Sequence, residues 1–134
     1  MGLTHARVRL ANARRSDLAA IEVNALADTW ALHLCIPEHV ALQLQLDELE
    51  KREITVADGS KRLVPFMGPV IVSFANRQCY AGAMVLGDET LLGAIPMEDM
   101  DLVIVPGTQQ VAVNPANPNI AVSIAKGLPP ASSR

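Results

Sequence analysis

The 134 residues of this chain carry a formal net charge of −3 at pH 7, and 50% of them are hydrophobic although only 3% are aromatic. This length predicts one domain with a substantial core, built from aliphatic side chains that suit strands. The negative charge and the scarcity of aromatic side chains argue against nucleic acid as a partner. No apolar stretch is long enough to span a bilayer and the N-terminus lacks a signal-peptide core, so we expect a cytoplasmic protein without a membrane partner.

The first predicted strands lead to an acidic residue. Alternation of apolar and polar residues predicts an edge strand over 6–10 and a second strand over 21–27, which ends at Asp28. A further apolar, strand-like run over 31–36 follows at once. Strands joined by so short a polar step require a tight loop, in which the Asp28 carboxylate would be partly desolvated and held against backbone N–H groups. Desolvation and hydrogen bonds of this kind are how proteins shift the pKa of an acidic side chain.

The rest of the chain predicts more short strands and little helix. Pro37 is suited to a helix start and predicts a short helix over 38–45, while the mixed-sign charge run 47–53 predicts a solvated surface. Further strands are predicted over 54–57, 61–66, 70–74, 78–86, 101–105 and 109–113, with a last candidate over 120–124. One more helical turn is expected over 96–100. Short, regularly spaced strands of this kind favour a closed all-β barrel.

The domain is expected to occupy residues 1–126, with a disordered tail over 127–134. Two cysteines, Cys35 and Cys79, lie within apolar strand patterns. In a cytoplasmic protein they are most simply buried thiols, although a disulfide between them stays open.

Several short segments follow one another in a characteristic order along the chain. Asp28-Thr29-Trp30-Ala31 stands between two apolar strands. It is followed in order by Leu34-Cys35-Ile36-Pro37-Glu38-His39, by Ala57-Asp58-Gly59-Ser60, by Val64-Pro65 ahead of Gly68-Pro69-Val70, and by Leu91-Leu92-Gly93-Ala94-Ile95-Pro96-Met97-Glu98. Together these segments resemble the retropepsin-like aspartic proteases, whose active-site motif is Asp-Thr/Ser-Gly-Ala.

This resemblance implies a small acid-protease barrel and aspartic peptidase activity without a cofactor. Asp28 would be the catalytic residue, and Thr29 would support the active-site loops by hydrogen bonds. The hairpin tip Ala57-Asp58-Gly59-Ser60 would be a flap that closes over an extended peptide substrate. Leu91-Leu92-Gly93 would be the second signature of the family, which threads behind the catalytic loop because its glycine permits a close crossing.

The mechanism implied by this resemblance needs two carboxylates that share one proton. The chain offers one such motif, because Asp88, Asp99 and Asp101 lack the flanking strand. The second Asp28 would therefore come from another copy of the chain, which predicts a symmetric homodimer with its site on the twofold axis. The segments 6–10 and 120–124 are candidates for holding the two copies together.

Trp30 occupies the position at which the family has glycine. Its indole would enter the substrate groove or displace the loop, and a lone tryptophan is also a candidate core or interface residue. Two functions therefore stay open. We favour an aspartic endopeptidase, and the alternative is a catalytically silent homologue that binds peptide or acts as a scaffold.

A third hypothesis is a small metal-binding β-domain that uses His33, Cys35 and His39. On a strand the first two side chains would share a face, but His39 lies past a helix start and no fourth ligand is near in sequence. We therefore predict no metal site. A nucleophilic Cys-His pair is no better supported.

Overall fold

The computed structural model describes residues 3–124, which form nine strands and two short helices. In chain order these are β1 (His5–Asn12), β2 (Ile21–Ala27), β3 (Leu34–Ile36), α1 (Glu38–Gln43), β4 (Asp47–Thr55), β5 (Lys61–Phe74), β6 (Arg77–Val85), β7 (Leu91–Leu92), α2 (Ala94–Asp99), β8 (Leu102–Val105) and β9 (Gln110–Val113). Six strands form a ring in the order β1-β2-β7-β3-β6-β5, which closes because β5 pairs with β1. The predicted all-β closed barrel with short helices is confirmed.

Strand β1 shows how the sequence pattern fills the barrel. Ala6, Val8 and Leu10 point into an aliphatic core and are at most 4% exposed, while the alternate residues Arg7 and Arg9 face water. The alternation was predicted correctly, but the edge position was not. β1 pairs with β2 along one side and with β5 along the other, so it lies within the closed sheet.

The charged segment 47–53 forms most of β4, which lies outside the ring and pairs only with β5. All of its side chains are exposed except the half-buried Arg52. The predicted solvated surface is therefore confirmed, and the same segment is also a strand. A strand with water on nearly all sides has no buried stripe, so the charged segment 47–53 carries no period-two signal.

Three predictions of strand limits change, and the first is that the strand predicted over 54–57 is the end of β4, which stops at Thr55. The strands predicted over 61–66 and 70–74 are one strand, β5, with an irregularity in its pairing to β6 between Met67 and Val70. The strand predicted over 31–36 keeps only its last three residues as β3. The carbonyls of Ala31 and Leu32, which precede β3, accept hydrogen bonds from the start of α2 and not from a neighbouring strand.

Both helices differ slightly from their predicted limits. The first ends at Gln43 rather than at residue 45, and Gln45 then adopts a left-handed φ of 52° as the chain turns into β4. The second is longer than the predicted turn over 96–100, since it begins at Ala94 directly after Gly93. Within residues 3–124, neither helix is long and apolar enough to cross a membrane.

The segment after β9 turns and bends over 115–120 and forms no strand up to residue 124, so the strand predicted over 120–124 is wrong for the single chain. Its apolar side chains are exposed instead of paired with the sheet: Ile120, Val122 and Ile124. The predicted domain end at residue 126 and the tail over 127–134 lie outside the described residues.

Asp101 holds this last segment to the barrel. Its carboxylate accepts hydrogen bonds from the Asn114 amide at 3.1 Å, the Asn117 amide at 2.8 Å and the Val122 backbone N–H at 3.1 Å. The first of these bonds is the largest cause that lowers the pKa of Asp101 below its ordinary value. Asp101 is thus a structural carboxylate with its oxygens already occupied.

Candidate active site

The Asp28 loop begins where the barrel sheet ends. β2 runs parallel to β7, with Leu26 opposite Leu91 and Ala27 opposite Leu92. The Asp28 backbone N–H continues this pairing by donating to the Leu92 carbonyl at 3.1 Å. The sheet therefore fixes the backbone of Asp28 on one side and places the Leu91-Leu92-Gly93 segment beside it.

A short turn fixes the other side of Asp28. The Trp30 N–H donates to Asp28 Oδ1 at 3.0 Å, and the Ala31 N–H donates to the Asp28 carbonyl at 3.1 Å. The Asp28 side chain is half-buried. The structure thus places this carboxylate in the expected surroundings, a tight loop with a backbone N–H directed at one carboxylate oxygen.

The Asp28 carboxylate also influences a neighbouring thiol. Cys35 on β3 is buried, with 6% of its surface exposed, and burial raises the pKa of its thiol. The negative charge of Asp28 raises the pKa of Cys35 further. Both cysteines are free and buried, which confirms the simpler of the two expectations, and burial together with the charge of Asp99 raises the pKa of Cys79 to about 12.

Gly93 crosses directly behind the loop. A Cβ atom at this position would lie 2.5 Å from the His33 carbonyl oxygen and 2.6 Å from the Leu32 carbonyl carbon. The crossing is fixed by two hydrogen bonds, from the Ala94 N–H to the Ala31 carbonyl at 2.8 Å and from the Ile95 N–H to the Leu32 carbonyl at 2.9 Å. Only glycine leaves room for this approach.

Trp30 and Thr29 point away from the barrel. The Trp30 side chain is 96% exposed, so it is not a core residue, and the turn around Asp28 closes in its presence. The Thr29 side chain is also exposed and makes no hydrogen bond to another residue of the described chain. The bonds that the resemblance implies for Thr29 would need a partner beyond this copy.

The hairpin tip at 57–60 has the features of a tight turn. Gly59 adopts a φ of 86°, which favours glycine, and Ser60 donates to Asp58 Oδ1 from its N–H at 2.8 Å and from its hydroxyl at 2.6 Å. The hydroxyl bond is the largest cause that lowers the pKa of Asp58. All four tip residues are exposed, and within the described chain none of them hydrogen-bonds the Asp28 loop.

A cluster that the sequence did not reveal connects the hairpin to the loop. The Arg52 guanidinium on β4 lies 3.9 Å from the centre of the Phe66 ring on β5, and its Nη1 atom lies 3.5 Å from His33 Nε2. His33 packs edge-on to Phe66 with 6.1 Å between ring centroids. The Phe66 ring in turn covers Gly82 of β6, where a Cβ atom would overlap it.

The three residues of the hypothetical metal site, His33, Cys35 and His39, have different surroundings in the structure. His33 contacts Arg52 and Phe66, whereas Cys35 is buried on β3 and His39 is exposed on α1. Within residues 3–124, no three His, Cys, Asp or Glu side chains are grouped as metal ligands. The only sequence signal for the cluster is the position of Phe66, one of two phenylalanines in the chain.

The other carboxylates lie elsewhere. Asp88 is exposed in the bend before β7, Asp99 ends α2, and Asp101 is held by the segment after β9. Among the described residues, no second carboxylate hydrogen-bonds Asp28. One copy of the chain therefore presents one candidate catalytic acid.

Comparison with solved structures finds the retroviral protease-like domain of Ddi1 from Leishmania major, with a TM-score of 0.54 and 14% sequence identity over 85% of this chain and 91% of that chain. A Legionella pneumophila protein of unknown function aligns over 84% of this chain and 92% of its own, with a TM-score of 0.39 and 12% identity. No protein-family model and no curated protein matches the chain. The likeness to the Ddi1 domain shows the fold, and the chain is a retropepsin-like barrel.

Proposed function

We propose that this chain is an aspartic endopeptidase that acts as a homodimer. The observation that carries the proposal is the position of Asp28, half-buried at a strand end with the Trp30 N–H on its carboxylate and Gly93 crossing behind its loop. Loop, crossing glycine and hairpin occur together on a retropepsin-like barrel, in the order that the aspartic proteases share. A fold alone does not establish an activity, which depends on the residues of the site.

In the proposed dimer the two Asp28 carboxylates share one proton, because two like charges at hydrogen-bond distance cannot both ionise. The ionised carboxylate takes a proton from a water molecule, whose oxygen bonds to the scissile carbonyl carbon. The protonated carboxyl gives its proton to the carbonyl oxygen, which forms a gem-diol. Proton transfer to the amide nitrogen then breaks the C–N bond and releases an acid and an amine.

The substrate would be a peptide bound in extended form. The hairpin β4–β5 would lie over it, exclude water and offer backbone groups from the tip Ala57-Asp58-Gly59-Ser60. Arg52, Phe66 and His33 would hold the base of this hairpin against the active-site loop, since they join β4, β5 and the residue before β3.

A second candidate function is a catalytically silent homologue that binds peptide or acts as a scaffold. Trp30 favours it, because an indole that is 96% exposed stands two residues after the candidate acid. In this reading the indole occupies the space that the scissile peptide would need. The two candidates share a fold and differ in what one side chain does.

The test is cleavage of a mixed peptide library across acid to neutral pH, with products identified by mass spectrometry. Wild type would be compared with Asp28→Asn, Trp30→Gly and the control Asp88→Asn, whose side chain is exposed in the bend before β7. Cleavage by wild type and by Asp88→Asn that is lost in Asp28→Asn supports the peptidase. Cleavage by Trp30→Gly alone supports the silent homologue, and no cleavage by any variant overturns the peptidase.

A further inference from the structure

An exposed apolar surface lies beside the candidate acid. Trp30 is 96% exposed, Leu32 is 61% exposed and Ile95 is 48% exposed, and we call these three residues the Trp30 face. The Ile95 N–H donates to the Leu32 carbonyl at 2.9 Å, which makes these two residues neighbours. Ile95 also lines a groove with Val122 and Ile124, which are 50% and 87% exposed.

Large side chains of this kind are rarely grouped on the surface of a protein that stays monomeric. The core of the barrel is formed by other side chains, such as Leu10, Leu34 and Leu92, which are at most 1% exposed. The Trp30 face therefore takes no part in the core of one copy. Large exposed apolar side chains on one loop and the helix beside it are typical of an interface.

The position of Asp28 indicates that a second copy of the chain covers this face. The Trp30 backbone nitrogen lies 3.0 Å from Asp28 Oδ1. A second Asp28 that approaches this carboxylate to hydrogen-bond distance must bring its own Trp30 equally close to the twofold axis. Each Trp30 then lies near the place where the two copies meet.

We propose that the Trp30 indole of each protomer packs against Leu32 and Ile95 of the partner and anchors the dimer. This inference rests on the proposed function for the pairing of the two Asp28 loops, and it adds the role of the residue that departs from the family motif. The indole is an interface anchor rather than an obstruction in the groove. Aromatic side chains that enter an apolar pocket at the centre of an interface carry much of its binding energy.

The test uses the intact chain, in which Trp30 is the only tryptophan and so reports its own surroundings. Sedimentation velocity and tryptophan emission would be measured over the same concentration series. We expect a monomer–dimer equilibrium, with emission moving to shorter wavelength in step with the dimer fraction. Trp30→Ala should raise the dimer dissociation constant about 30-fold or more, which is the loss expected for a central aromatic anchor.

Two substitutions of equal chemistry locate the contact. Leu32→Ala should weaken the dimer and shift emission at a given dimer fraction, whereas Leu42→Ala should do neither. Leu42 is 65% exposed on α1, so it matches Leu32 in type and exposure but lies outside the Trp30 face. Circular dichroism would verify that each variant keeps the barrel. An emission that stays constant while the dimer forms, or equal weakening by the two leucine variants, overturns the inference.

The outcomes separate this inference from the proposed peptidase. A dimer that depends on Trp30 but cleaves no peptide in any variant supports the anchor and overturns the peptidase. Cleavage that depends on Asp28, in a dimer that Trp30→Ala leaves unchanged, overturns the anchor and supports the peptidase. A strict monomer at all concentrations overturns both.

Discussion

Gly93 lies so close behind Leu32 that a single added carbon would fall 2.6 Å from the Leu32 carbonyl carbon. Backbone faces backbone at this crossing, so no side-chain rotation can relieve the contact. The approach is what lets the second signature support the Asp28 loop from behind, through the hydrogen bonds that Ala94 and Ile95 donate to it.

Replacing Gly93 with alanine should therefore destabilise the barrel by about 1–3 kcal/mol, the usual range for an inserted carbon in a packed site. The free energy of unfolding would be measured by urea titration. Gly107→Ala is the matched control, because a Cβ atom at Gly107 would meet nothing within 4 Å. The control should stay within about 0.5 kcal/mol of wild type. Equal effects at both glycines would contradict the tight crossing.

The second prediction concerns Phe66 and Gly82. A Cβ atom on Gly82 would overlap the Phe66 ring, so Gly82→Ala must push the ring away from Arg52 and His33. We expect Gly82→Ala to cost about 1–3 kcal/mol in the wild-type background. In a Phe66→Ala background the same change should cost less, by at least about 0.5 kcal/mol. Urea titration of the four proteins gives this coupling, and additive effects would mean that the ring does not occupy the space over Gly82.

The sequence predicts the path of the chain to the site better than the contacts around it. Period-two alternation located β2 and hence Asp28, and the resemblance of Leu91-Leu92-Gly93 to the second signature of the aspartic proteases located the crossing strand. Each of these segments buries one face against the core, so burial leaves a trace in the sequence. The closed barrel followed from the number and spacing of such segments.

Other features leave no such trace. β4 is an outer strand with almost no buried face, and the charges of its segment 47–53 gave only a surface prediction. Arg52, Phe66 and His33 come from three separate segments and meet because β5 pairs with β4 on one side and with β6 on the other, while β6 also pairs with β3. That register is a property of the folded sheet. The exposure of Trp30 could not be predicted either, because a lone tryptophan is compatible with a core, a groove or an interface.

The third prediction is a pH effect at Asp101. Its pKa is lowered in the folded chain, mainly by the hydrogen bond from Asn114, so folding favours the ionised carboxylate. The stability that this group contributes is therefore fully present above its unfolded pKa, near 3.8, and is lost as the pH falls below that value through the lower folded pKa. The amides of the segment after β9 should exchange faster as this happens.

Asp101→Asn provides the comparison for this pH effect. Hydrogen exchange of the Val122 amide, which donates to Asp101 Oδ2, should be faster in Asp101→Asn than in wild type near neutral pH. The difference should shrink as the pH falls below about 3.8, because wild type then loses the same charge. Asp88→Asn should leave this exchange unchanged. A difference between wild type and Asp101→Asn that is constant with pH would mean that the charge of Asp101 does not hold the segment.

The last prediction uses the thiols to test the position of the Asp28 carboxylate. Burial raises the pKa of Cys35 first and the negative charge of Asp28 raises it further, so the thiolate is scarce in the folded protein. Removing the charge with Asp28→Asn should lower the pKa of Cys35 and increase its rate of alkylation a few-fold at fixed pH, because the thiolate is the reactive form. Cys79, whose pKa is about 12 through burial and the charge of Asp99, should react at its wild-type rate.

Asp99→Asn is the reciprocal control and should accelerate Cys79 while leaving Cys35 unchanged. Mass spectrometry of peptides after timed labelling would give both rates, and urea-unfolded protein should label at both sites quickly. Equal acceleration of both cysteines in Asp28→Asn would indicate general loosening of the barrel, whereas an unchanged rate at Cys35 would place the Asp28 carboxylate away from that thiol.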